Sequence, residues 1–157
     1  MSAHIAFVAP IGSILSWSDD QPRPPERHRR KLSAWQANNS SGRLICKHDE
    51  RGAGNTILPP SFTLHEGDYR GGGVIAIRVH RTFSLETNLV FTVVERPALG
   101  SCRVLDRPGD HAELVHLAAS RQAAERWLTS HGYPSAALED VTADEIAADV
   151  VEGRAEA

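Results

Sequence analysis

Between Arg43 and Asp106 the apolar positions of the chain recur at every second residue. The segments RLICKH, SFTLHE, VIAIRVHRT, LVFTVVER and CRVLD are rich in β-branched and aromatic residues. Glycine, proline or asparagine bounds each one, which predicts an antiparallel run of strands joined by marked turns. ELVHLAAS reads as one more strand, and AFVAP near the N-terminus as a brief one. Outside this region the period lengthens to that of a helix. Pro24 and Pro25 suit a first helical turn, Glu26 complements the helix dipole there, and NNSSG ends the helix. His28, Leu32 and Trp35 then share one side, with Arg27, Arg30 and Lys31 turned to solvent. Ser120 caps a second helix through RQAAERWLTSH, with Trp127 and Leu128 facing the core and Gly132 as its stop. Thr142 and Glu145 form a capping box for a third, with Ile146 and Val150 on its apolar stripe. The resulting fold class is α+β: a single domain over residues 1–157, with an antiparallel β-meander of about five to six strands packed against two to three helices. Residues 18–25 read as a proline-rich connector and 152–157 as a frayed tail.

The glycine run in GDYRGGGVIAIRV invites comparison with a phosphate-binding loop. Such a loop needs backbone N–H groups converging at a helix start and a lysine to reach the terminal phosphate. Here no GK[ST] is present and the chain enters a strand, so the glycines are read as a hairpin turn. Tyr69 and Arg70 at its tip are candidate binding residues.

A hairpin in that place brings specific side chains onto one face. Pairing Phe62 with Val79 and Leu64 with Ile77 gathers Phe62, Leu64, Ile75, Ile77, Val79, Phe91 and Val93 on a buried side. Pairing Val79 with Phe91 on the next strand brings Thr92 beside Arg78. The opposite side then carries Ser61, Thr63, His65, Arg78 and His80. Imidazoles move protons near neutral pH and a guanidinium holds phosphate or carboxylate, so His65, Arg78 and His80 are the candidate catalytic residues.

Composition narrows the choice of function. With 157 residues, 41% hydrophobic and 24% charged, the chain has ordinary globular usage. No apolar run reaches a membrane-spanning length and the N-terminus lacks secretory features, so a cytoplasmic location with no membrane contact is expected. Cys46 and Cys102 have neither CxxC spacing nor further partners and are expected to be buried, reduced thiols. Two lysines among seventeen basic residues point to a GC-rich, bacterial origin. The net charge of −3 conceals a basic segment at 21–51 and an acidic one at 110–157.

No GxSxG, HExxH, kinase or EF-hand pattern is present, and the eight histidines are scattered. Cys46 and His48 share a strand face, which permits two metal ligands, but the chain offers no metal motif and no cofactor is expected. RPPERHRRK concentrates Arg23, Arg27, Arg29, Arg30 and Lys31 within nine residues. The favoured reading is a small bacterial accessory or regulatory protein that binds rather than catalyses, contacting a protein partner through Arg23, Arg27, Arg30, Lys31, Tyr69, Arg70 and Arg78. Two alternatives stand beside it: a DNA- or RNA-binding module using the same arginines, and a small hydrolase or phosphodiesterase using the histidine patch.

Overall fold

Ala3, Ala6 and Ala9 recur at three-residue spacing, which places small side chains on one side of a helix and lets its backbone approach a sheet closely. The segment expected to be a brief strand is therefore helix α1 (Ala3–Val8). Strand β1 (Ile14–Ser18) is next, then α2 (Arg29–Asn38), β2 (Ser40–His48), the hairpin β3 (Arg51–Ala53) and β4 (Thr56–Leu58), β5 (Ser61–Gly71), β6 (Val74–Ser84), β7 (Val90–Glu95), β8 (Cys102–Leu105), β9 (Leu114–Ala118), α3 (Arg121–Thr129) and β10 (Ala137–Asp140). A last helix, α4, begins at residue 143. The computed structural model describes residues 3–71 and 74–147; the side chains of residues 53 and 67–78 lie outside that description, as do Val150 and the expected tail at 152–157. Among the described residues no helix is long and apolar enough to cross a membrane.

The domain is α+β, with a five-stranded antiparallel sheet in the order β6-β5-β2-β1-β7 and a second sheet in the order β10-β8-β9. Sequential pairing of β6 with β7 is not found. Strand β1, whose ILSWS is short, lies between β2 and β7, so Phe91 pairs with Trp17 rather than Val79, and Thr92 with Ser16 rather than lying beside Arg78. The β5–β6 register differs too. Phe62 faces Phe83 and Leu64 faces Arg81, because pairing continues to Gly71 and Val74 and leaves two residues between the strands. This displacement is an even number of residues, so the face assignment of β5 and of β6 from residue 79 onward survives.

The inner face of the large sheet holds Leu15, Trp17, Leu44, Phe62, Leu64, Phe83 and Phe91, capped by α1. Phe62, Phe83 and Phe91 meet with ring centroids 5.2 to 5.8 Å apart, although β6 and β7 are opposite edges of the sheet. The sheet is thus curled around its aromatic core. Of the other side chains expected there, Val93 is half-buried and packs against the cluster, and Val79 is half-buried. Those of Ile75 and Ile77 lie outside the described residues.

The second sheet packs on the outer face. Ile45 and Cys46 of β2 meet Leu105 of β8, Leu114 of β9 and Ala112 in the loop between those strands. Arg103 of β8 is 1% exposed and ties three segments together. Its Nε donates to the Ile11 carbonyl at 2.6 Å, Nη1 to Glu139 at 3.0 Å and Nη2 to Glu145 at 2.6 Å. The Glu145 N–H donates to Thr142 Oγ1 at 3.4 Å, but the Glu145 carboxylate serves Arg103, so only half of the expected capping box forms. Ser120 caps α3 as expected, its Oγ accepting from the Ala123 N–H at 3.1 Å.

Replacing Arg103 by methionine keeps the volume and strands the Ile11 carbonyl. A loss of about 2–3 kcal/mol is expected in urea unfolding, smaller than for a wholly buried pair because Glu139 and Glu145 can turn to water. Glu139→Gln, at a side chain 59% exposed, should lose less than about 1 kcal/mol.

Candidate functional site

Helix α2 begins at Arg29, four residues after the prolines expected to start it, and Glu26 lies outside it, paired with Arg23 at 3.7 Å. His28 occupies the N-cap without a side-chain cap. Leu32 and Trp35 are only half-buried, and α2 buries none of its residues. The helix is held from its C-terminal end instead. The Ala37 carbonyl accepts from Trp17 Nε1 at 2.9 Å and from the Arg81 guanidinium. Asn39 returns its amide to the Trp35 carbonyl at 2.8 Å, and Trp35 Nε1 reaches the Gln21 carbonyl at 2.8 Å. Asp19 accepts from Asn39, the Gln21 N–H and Asn38, and those bonds, Asn39's first, hold its carboxyl below the usual range. Arg27, Arg29, Arg30 and Lys31 are all exposed.

Beside α2 the β5–β6 hairpin leaves the sheet. Its last pairing with β2 is Arg43 opposite His65, and an irregularity between His65 and Gly67 redirects the strands beyond it. The strands continue as a two-stranded ribbon for five residues, about 17 Å. Strand β2 starts at Ser40, so ribbon and α2 project from one end of the sheet. Tyr69, Arg70 and Arg78 lie in this ribbon, opposite Ile77, Ile75 and Asp68 in the backbone register; their side chains lie outside the described residues. Gly42, at the ribbon's root, has no room for a side chain, since a Cβ there would stand 2.9 Å from the His65 carbonyl oxygen.

At that root the outer face carries a polar row. Arg43, His65 and His80 are consecutive cross-strand partners. The His65 and His80 rings meet edge to face, with centroids 5.5 Å apart. One step along, Thr63 and Thr82 are paired and share a hydrogen bond of 2.8 Å between their hydroxyls. Of the expected trio of His65, Arg78 and His80, the two imidazoles meet, and the side chain of Arg78 lies outside the described residues. Arg78 is two residues before His80 on β6, opposite Asp68, and Arg43, the backbone partner of His65 on β2, donates through Nη1 to the Gly12 carbonyl at 2.6 Å. Alternation along RLICKH puts Arg43 on a face but does not say which strand lies next to it, so sequence reasoning missed both Arg43 and Thr82.

Cys46 Sγ lies 3.6 Å from His48 Nε2 and 3.7 Å from the His111 carbonyl oxygen, beside a cavity of about 380 Å³ lined by His48, Asp49, Glu50, Arg51, Arg107 and His111. Among the described residues no three His, Cys, Asp or Glu side chains converge as a metal site. Burial, then the Glu113 and Asp106 carboxylates, pushes the Cys46 thiol up; burial and then Asp140 do the same to Cys102. Both cysteines are buried and free, as their lack of partners in sequence implied.

On α3, Trp127 is sandwiched between His116 at 4.7 Å and His131 at 3.8 Å. His131 lies just past the helix and its Nδ1 is 2.7 Å from the Trp127 carbonyl oxygen. Burial, with His131 as the second cause, depresses the His116 pKa.

A family model matches residues 1–145 of the chain. The chain belongs to the family described as uncharacterised conserved protein UCP036055. That match spans α2, the ribbon and the polar row alike. No curated protein and no solved structure matches the chain.

Two measurements check these environments. Neither thiol should react with Ellman's reagent in the native protein at neutral pH, and both should react on unfolding. Unfolded His116 takes a proton near the ordinary imidazole value of 6.5, while the folded one resists to lower pH. The unfolded state therefore binds more protons, and stability should fall as pH drops from about 7 to 5. Replacing His116 by glutamine should flatten that fall in urea midpoints measured across the range.

Proposed function

We propose that the protein acts by binding the phosphate backbone of a nucleic acid with α2 and the β5–β6 ribbon. The observation that supports this most directly is the state of the cations in and just before α2: among the described residues no carboxylate pairs with Arg27, Arg29, Arg30 or Lys31, and α2 has no acid in its first turn. Three acids of the C-terminal segment are engaged elsewhere, Glu139 and Glu145 by Arg103 and Asp140 by Arg121. Unneutralised guanidinium groups on an exposed helix are suited to phosphates, which they contact with release of condensed counterions.

Shape favours nucleic acid over an acidic protein surface. A protruding helix and a two-stranded ribbon are the two elements whose width matches a nucleic-acid groove, and here both leave the same end of one sheet. Anchoring α2 through the Ala37 carbonyl leaves its N-terminal cations clear of the core.

Replacing Arg27, Arg30 and Lys31 together by glutamine should shift the unfolding free energy by no more than about 1 kcal/mol, because surface charges carry little stability. Affinity for an unspecific oligonucleotide should drop. The slope of log affinity against log salt should become shallower by about 2–3, one unit for each lost phosphate contact. A gentle salt effect confined to the association rate, on an acidic protein rather than an oligonucleotide, would reject this reading.

A further inference from the structure

The row at the ribbon's root holds chemistry that binding alone does not use. We propose that His65 and His80 are an acid–base pair that cleaves RNA at the strand crossing the base of the ribbon. This rests on the nucleic-acid reading above and names its substrate.

The geometry consists of two proton carriers side by side with donors around them. The two rings are edge to face at 5.5 Å, on adjacent antiparallel strands whose register fixes them opposite one another. The rings are too close to admit a group between them, so a phosphodiester would lie across their outer ends and accept a hydrogen bond of about 2.8 Å from each. Thr63 and Thr82 supply a further donor. Each hydroxyl has one proton; their 2.8 Å bond uses one of the two, and the other is left for an oxygen acceptor. Among the described residues neither hydroxyl makes a second hydrogen bond. Arg43 is the backbone neighbour of His65 on β2, and its guanidinium is held by the Gly12 carbonyl. Strand β6 is an edge of the sheet and His80 is exposed, so an extended chain can lie along the row.

These groups match a transesterification in which the substrate brings its own nucleophile. One imidazole takes the proton of a ribose 2′-hydroxyl as that oxygen forms a bond to phosphorus. The bond from phosphorus to the 5′-oxygen breaks, and the other imidazole, protonated beforehand, gives its proton to that leaving oxygen. The products are a 2′,3′-cyclic phosphate and a 5′-hydroxyl end. One histidine gains the proton that the other loses, and exchange with water restores both. The free threonine proton stabilises the charge that collects on the non-bridging oxygens. DNA lacks the 2′-hydroxyl and is bound without being cut.

The test uses the full chain with end-labelled RNA oligonucleotides of mixed sequence and their DNA counterparts, alongside His65→Gln and His80→Gln proteins purified identically. Cleavage of RNA alone, leaving 2′,3′-cyclic phosphate ends, is expected. Each variant should fall at least about 100-fold in rate while retaining RNA affinity. His80 is exposed, so its variant keeps the proposal testable should His65→Gln fail to fold. RNA that is bound yet never cut overturns the acid–base pair and leaves the binding reading intact. Cleavage unchanged in both variants also overturns the pair. Failure to bind either nucleic acid overturns the reading of α2 and removes the substrate assignment with it.

Discussion

Strand β2 is buried on both faces, and the placement of the other elements depends on that constraint. A strand with one wet side alternates apolar and polar residues, but here Leu44, Ile45 and Cys46 are buried in succession. Leu44 enters the aromatic core inside the curled sheet, whereas Ile45 and Cys46 enter the second cluster with Leu105 and Leu114. An irregularity in the pairing with β5 falls between Leu44 and Cys46, where the strand has to satisfy both sides. The second layer therefore covers the outer face at β2 and stops there. Left uncovered, on β5 and β6, is the face carrying Thr63, His65, His80 and Thr82. Along that row His80 and Thr82 are exposed, and Thr63 and His65 are half-buried.

Arg103 fixes where that second layer sits. Its three bonds join the loop before β1, strand β10 and helix α4 to one side chain of β8. Both carboxylates are partly exposed, so each remains solvated on its outer side while the guanidinium is shielded; the arrangement avoids most of the desolvation that makes a fully buried pair costly. Glu139, Glu145 and Asp140 are thereby engaged by Arg103 and Arg121, and among the described residues no carboxylate pairs with Arg27, Arg29, Arg30 or Lys31.

Much of the architecture was legible in the sequence, and the failures have a common cause. Strands β2, β5, β6, β7, β8 and β9, the Ser120 cap and the burial of both cysteines can be read from period and composition, which are local properties. The errors at α1 and β1 arise because short segments carry too few residues to show a period, and their state is decided by what they pack against: Ala3, Ala6 and Ala9 against the sheet, Leu15 and Trp17 against Leu44 and Phe91. The missed register of β5 and β6 is likewise non-local, since the expected and observed pairings place equally apolar residues together and differ in where the turn closes. For the same reason the pairing of the two imidazoles on one face was legible while their backbone neighbour Arg43 was not. Parity along β5 and β6 puts His65 and His80 on one face in either register, but the strand on the far side of β5 is a matter of topology, and it carries Arg43.

The root of the ribbon is where the two surfaces of the molecule come together. Gly42 allows the His65 carbonyl to approach β2 closely, the pairing with β2 ends at Arg43, and the hairpin then departs toward the end that bears α2. On the proposed reading, a polyanion held by α2 and the ribbon would meet the last sheet-bound pair, His65 and His80, where the backbone of His65 has neighbours on both sides of β5. Proton transfer demands this rigidity, because a misplacement of about 1 Å can forfeit much of the rate. Attachment to the partner requires only charge and reach, which an exposed helix provides. The contrast between a cationic helix that needs no fixed geometry and a rigid imidazole row is a physical reason for placing binding on α2 and chemistry at the ribbon's root.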